Sequence, residues 1–177
     1  MGYDVQRKQY VQDVSAGTYV LVGDFGGTNT NFAITPQQDG PSLIPLSLHI
    51  PSRDITQYYD VIQYVCDTLA QEYSVTVSSA CFGVSGFVYE HKRCVEPTNL
   101  EVTLEAREII QNTQLDEVVV VNDFVIAATG IDHVDPQDCV CVISGEGMPR
   151  GNACAIGAGT GIGAVGMYWH RPVGQYI

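Results

Sequence analysis

Hydrophobic and polar positions change their period several times along the chain, and each change marks an element. Residues 18–22 are a short apolar, β-branched run, broken by Gly23-Asp24-Phe25-Gly26-Gly27-Thr28, and residues 31–35 resume a strand-like pattern. Two such runs around a glycine-rich turn predict a β-hairpin. Residues 43–50 read as a third strand, with Pro41 and Pro51 as punctuation. From Asp54 the period lengthens. Ile55, Tyr58, Tyr59, Ile62, Val65, Cys66 and Leu69 recur at helical spacing, with Asp54 placed to cap the start. Residues 75–84 return to a strand that stops at Ser85-Gly86, and residues 87–95 read as an irregular or hairpin excursion closing at Pro97-Thr98-Asn99. Residues 103–111 form a short helix capped by Thr103. The four valines at 118–121 are apolar on both faces, as an interior parallel strand is. They end at Asn122-Asp123, where residues 124–129 begin another helix.

Periodicity alone therefore gives a mixed α/β fold with a partly parallel sheet. Three strands in a meander followed by alternating helix and strand is the ribonuclease-H-like, or actin-like, arrangement. The remainder repeats the opening theme. Residues 139–143 and 153–156 are strand-like and lead into Gly157-Ala158-Gly159-Thr160-Gly161-Ile162-Gly163, with apolar residues 164–167 beyond. Strand, glycine turn with a threonine, strand occurs twice, which implies two related domains. Residues 1–132 make the first, and residues 133–177 the first strands of a second, truncated one.

Composition narrows the function classes. Eight basic against twenty acidic side chains give a net charge of −12. Such a chain repels nucleic-acid backbone and anionic membrane, so neither is expected as a partner. Cys66, Cys81, Cys94, Cys139, Cys141 and Cys154 show no zinc-ribbon or redox spacing and lie mostly in apolar runs, so buried free thiols are expected. Residues 1–17 lack the apolar stretch of a signal peptide, and no run reaches membrane-spanning length. The expected compartment is the cytoplasm.

Three segments carry candidate chemistry. Consecutive glycines in Gly23-Asp24-Phe25-Gly26-Gly27-Thr28-Asn29 let backbone N–H groups converge on an anion, and Thr28 and Asn29 add donors. Asp24 suits that setting only with a divalent cation between it and the phosphates. A plain hairpin turn is the competing reading. Gly157 to Gly163 alternate glycines around Thr160 as a second cradle, without the lysine of a P-loop. Gly161, Gly163 and Gly166 match dinucleotide-fingerprint spacing, but no helix follows to receive a pyrophosphate. Asn122-Asp123 sits at a strand end, where an aspartate can take a proton from a substrate hydroxyl. Helix capping is the alternative there.

Taken in order, Asp24-Phe25-Gly26-Gly27-Thr28-Asn29, Asn122-Asp123-Phe124 and the glycine run 157–163 resemble the two phosphate motifs and catalytic strand end of bacterial-type glucokinases. These are ATP-dependent hexose kinases of the sugar kinase, heat-shock ATPase and actin superfamily, and the resemblance is to their N-terminal half. It implies ATP and Mg2+ as cofactors and glucose or a similar hexose as substrate, with homo-oligomerisation left open. Asp123 would be the general base toward the sugar 6-hydroxyl, Asn122 and Asn99 sugar contacts, and Asp24 the organiser of Mg2+ through water. Gly26, Gly27, Thr28 and Asn29 would line the transferred phosphoryl group, with Gly159, Thr160 and Gly161 on the nucleotide side. The chain departs from the family at Phe87 and at Leu100-Glu101, where a proline and Pro-Trp are usual. Two other readings stay open: a non-catalytic sugar-binding or regulatory module, and a different phosphotransferase of the superfamily.

Overall fold

The computed structural model describes residues 3–11, 13–14, 17–37, 44–94, 97, 103–131, 133–148, 150–158 and 162–176. They fall into two compact units, Met1–Asp123 and Phe124–Ile177.

The first unit runs β1 (Gln6–Gln9), β2 (Tyr19–Phe25), β3 (Asn29–Pro36), β4 (Leu46–Pro51), α1 (Tyr58–Tyr73), β5 (Ser79–Val84), β6 (Val88–Tyr89), β7 (Arg93–Cys94), β8 (Leu104–Glu105), α2 (Ala106–Asn112) and β9 (Glu117–Asn122). Six strands form one sheet in the order β1-β4-β3-β2-β5-β9. The β2–β3–β4 meander is antiparallel, whereas β5 joins β2 and β9 joins β5 in parallel. This is the expected mixed sheet. Strand alternation gives it one largely apolar face, interrupted by the buried Thr30: Leu21, Phe25, Phe32, Ile34, Leu48, Ile50, Phe82 and Val120 are all essentially inaccessible. Val61, Ile62, Val65, Cys66 and Leu69 of α1 and Ile109 of α2 complete the same core. At its centre Phe25 meets Phe32 and Phe82 edge to face, each with ring centroids 5.4 Å apart.

Several expectations need correcting. Asp54 does not cap α1. It lies in a 3-10 turn at Ser52–Asp54, and the helix starts after Gln57, which makes no side-chain cap bond. Thr103 does not cap α2 either, because Leu104–Glu105 first pairs as a strand with β7. β9 is the outermost strand of the sheet rather than an interior one. β1 carries no apolar signal, since all four of its residues are exposed on the opposite edge, paired with β4. The excursion after Gly86 is a true hairpin, β6 with β7.

The second unit holds α3 (Asp123–Ile131) from its second residue onward, the β10 (Ala153–Ala158) and β11 (Ile162–Met167) hairpin, and β12 (Trp169–His170) paired with β13 (Gln175–Tyr176). Residues 139–143, expected as a strand, form none and are exposed. The six cysteines are unpaired. Cys66 and Cys94 are buried as expected and Cys81 is half-buried, but Cys139, Cys141 and Cys154 are exposed.

Candidate active site

The β2–β3 turn is shaped by one glycine and one distant serine. Gly26 donates its N–H to the Asn29 carbonyl at 3.1 Å. A Cβ at Gly26 would stand 2.8 Å from that oxygen, so only glycine lets the chain close so tightly. Among the described glycines only Gly86 and Gly174 have positive φ, so the turn uses glycine for close approach, not for left-handed backbone. Ser52, just after β4, fastens the turn from outside. Its hydroxyl donates to the Gly26 carbonyl at 2.6 Å, and its N–H donates to the Thr28 carbonyl at 3.0 Å. With that proton spent, the Ser52 oxygen accepts from the Thr30 hydroxyl at 2.9 Å. Thr30 and Ser52 are both buried. The carbonyl dipoles of Gly26 and Thr28 are thereby turned onto Ser52. The N–H groups of Gly27 and Thr28 take no backbone acceptor among the described residues. Exposed donors with the neighbouring carbonyls tied back form a local positive concavity, which suits an anion.

Parallel pairing gathers the other candidates at the same sheet edge. Phe25, Val84 and Asn122 are in register across β2, β5 and β9, so Asp24 and Asp123 both lie at strand carboxyl ends. Asp24 is exposed at its strand end, yet protein atoms crowd its carboxyl. That crowding pushes its pKa up, and the Asp123 carboxylate pushes the same way, opposed by a hydrogen bond from Asn31. Burial, then Asp123, also raises the Cys94 thiol. Behind them Tyr58 packs edge-on against Phe25 at 4.7 Å, its buried hydroxyl without a partner among the described residues. Burial, then Cys94, pushes that phenol well above its ordinary range.

Asp123 is the first residue of α3. Asn122 donates its side-chain N–H to the Gly86 carbonyl at 2.9 Å, tying the end of β9 to the loop after β5. In the second glycine run, Gly157 and Gly163 face each other across β10–β11. Asn99, Gly159, Thr160 and Gly161 lie outside the described residues.

Sequence reasoning missed Ser52, Asn31 and His49. No local signal marks Ser52, which is 26 residues from Gly26. Asn31 and His49 stand out only once the strand register is known. Among the described residues no three His, Cys, Asp or Glu side chains form a metal-holding group. Two neighbouring carboxylates instead suit Mg2+, which keeps most of its waters and shares the rest of its shell with phosphates.

The glucokinase family model matches residues 21–175. The chain belongs to the glucokinase family. A glucokinase from Marinobacter nauticus is 32% identical, over 87% of this chain and 46% of its own length. The chain thus spans about half the length of the relatives it matches, corresponding to their N-terminal part. A crystal structure of glucokinase from an Antarctic psychrotroph superposes with TM-score 0.71 at 24% identity, over 90% of this chain and 48% of that one. A ROK family glucokinase from Streptomyces griseus, solved with glucose and AMPPNP, gives TM-score 0.61 at 19% identity, over 90% and 46%. The actin-like sugar-kinase fold expected from the three motifs is therefore present. Among the described residues no helix is long and apolar enough to cross a membrane.

Proposed function

We propose that this chain supplies the sugar-side half of an ATP-dependent glucokinase of the cytoplasm, moving the γ-phosphoryl group of ATP to the 6-hydroxyl of glucose. The observation that carries the reading is the placement of Asp24 and Asp123 at the carboxyl ends of strands joined in parallel through β5, beside a turn whose carbonyls are tied back onto Ser52. Two acidic groups held within electrostatic reach of each other need a reason to stay so, and a cation with phosphates is one.

In this reading Asp123 accepts the proton of the sugar 6-hydroxyl as the oxygen–phosphorus bond forms and the bond to the leaving ADP breaks. Asn122, with Asn99, orients the sugar. Gly26, Gly27, Thr28 and Asn29 receive the transferred group through backbone N–H and side-chain donors, and Gly159, Thr160 and Gly161 hold the nucleotide side. Asp24 holds Mg2+ through water. The cation neutralises charge on the phosphates when bound. What the protein contributes is positioning and fixed donors, which is most of what phosphoryl transfer requires. Residues 1–132 form the sugar-side domain in this scheme, and residues 133–177 begin the nucleotide domain. The 177 residues alone are then inactive, since about half of the relatives' length has no counterpart in them.

The test is Asp123→Asn in a form of the protein that carries a complete nucleotide-binding half. The amide keeps shape and hydrogen bonding but not basicity, so kcat falls about 10²–10⁴-fold with KM for glucose little changed. Asn caps helices as well as Asp, so a wild-type kcat would reduce Asp123 to a structural residue.

A further inference from the structure

We infer that Asn31 and His49 are positioning residues for Asp24: the Asn31 amide clamps the carboxylate, and His49, carrying its ring proton on Nδ1, fixes which way that amide points. What Asp24 does rests on the phosphotransfer reading above; the clamp itself does not.

Register places the three side chains in one row. Asp24 on β2 opposes Asn31 on β3, and Asn31 opposes His49 on β4. The row alternates with the buried row of Phe25, Thr30 and Ile50, so it stands on the opposite face of the sheet. Hydrogen-bond chemistry then leaves one arrangement. An ionised carboxylate only accepts, so Asn31 must turn its NH2 toward Asp24. Its carbonyl oxygen is left facing His49 Nδ1 at 2.7 Å. Two acceptors cannot bond, so the neutral imidazole must hold its hydrogen on Nδ1, the less usual tautomer.

A clamp has a physical purpose here. Asp24 stands at an exposed strand end and is repelled by the Asp123 carboxylate. Unheld, its side chain would rotate away from Asp123, and any ligand needing it would pay for the return. Fixing the rotamer during folding removes that cost from binding.

Two measurements decide the matter, the first on the 177-residue protein and the second on a form that also carries a complete nucleotide-binding half. The first is a long-range 1H–15N correlation of the histidines at about pH 8.5, above the ordinary imidazole range, with His49 assigned by its loss in His49→Gln. The expected pattern is Nδ1–H, reverting toward Nε2–H in Asn31→Leu. A wild-type His49 with its proton on Nε2 overturns the clamp. The second is calorimetric titration with Mg·ATP and with metal-free ATP. Asn31→Leu weakens the magnesium complex about tenfold, as loss of one ordered charged hydrogen bond does, and leaves metal-free ATP unchanged. His49→Leu follows Asn31→Leu. His49→Gln, whose amide can still donate to Asn31, restores most of the affinity. Unchanged affinity in Asn31→Leu, or equal loss with and without magnesium, makes the row merely structural. Failure of the wild type to bind Mg·ATP sinks the phosphate-cradle reading and the positioning role with it, while the ring proton still decides the clamp.

Discussion

The two units have similar proportions of apolar residues but use them differently. In Met1–Asp123 the side chains of one sheet face, α1 and α2 lock into a single core, with ring against ring at its centre. In Phe124–Ile177 only Ala128 and Met167 are fully buried among the described hydrophobics. Val140, Val142, Ile143, Met148, Ile156 and Ile162 are all exposed, Val142 at 88%. A six-stranded sheet with helices can exclude water from one face, while a lone two-stranded hairpin is marginal at best. The sequence pattern of residues 139–143 is strand-like all the same. Apolar alternation states what a segment would do if given a partner, and no described strand partners this one.

The largest test of that contrast is a pair of truncations. Phe82→Ala opens a cavity beneath Phe25 and Phe32 and lowers the stability of the first unit by about 3–5 kcal/mol. Val142→Ser changes the stability of the second unit by no more than about 0.5 kcal/mol, because nothing is lost from a core. Denaturant unfolding followed by circular dichroism reads both. Equal costs would show that residues 139–143 are buried in solution and would erase the distinction between the units.

A sharper test lies inside the second unit. The Phe124 ring occupies a slot between the two strands of the second glycine hairpin. A Cβ at Gly163 would sit 1.9 Å from the ring, whereas one at Gly166 would meet nothing within 4 Å. Gly163→Ala therefore costs the hairpin about 1–3 kcal/mol by overpacking, and Gly166→Ala almost nothing. Hydrogen exchange of the β10 and β11 amides measures both. Trimming the ring with Phe124→Leu should recover much of the Gly163→Ala loss, since residues in contact couple. Additive effects of the two changes would remove Phe124 from the slot.

The same slot illustrates how far the sequence could be read. Alternate glycines at 157–163 read equally well as a phosphate cradle, but at Gly163 the close neighbour is a phenylalanine. Local patterns were legible: the helical spacing of α1, the glycine break between β2 and β3, and the valine run ending at Asn122-Asp123 all fall where periodicity puts them. The family too was legible, because three ordered motifs are far more specific than one. What periodicity could not reveal depends on register or on distant partners. The polar β1 carries no apolar signal. Ser52 matters only because β4 brings it under the turn. The side chain of Asn122 is engaged with Gly86, 36 residues away, which no local pattern encodes.

The smallest expected effect returns to the first unit and sets its stability against its chemistry. Crowding and the Asp123 carboxylate raise the Asp24 pKa above its ordinary 3.8. A raised acid binds its proton more tightly folded than unfolded, so fewer protons are bound in the unfolded state across the window between the two values. Stability then falls as pH rises from 3.8 through the folded value, and the penalty persists at neutral pH. Asp24→Asn removes the charge and keeps a group that can bond to Asn31. The variant should melt slightly above the wild type at neutral pH, with the gap closing below pH 3.8, where both side chains are uncharged. In a form that also carries a complete nucleotide-binding half, saturating Mg·ATP should reverse the order, because the wild type gains more of the ligand's stabilisation. Melting curves with and without ligand at several pH values are sufficient. A variant less stable than the wild type at neutral pH without ligand would mean that the Asp24 charge supports the fold, contrary to the crowding described at the turn.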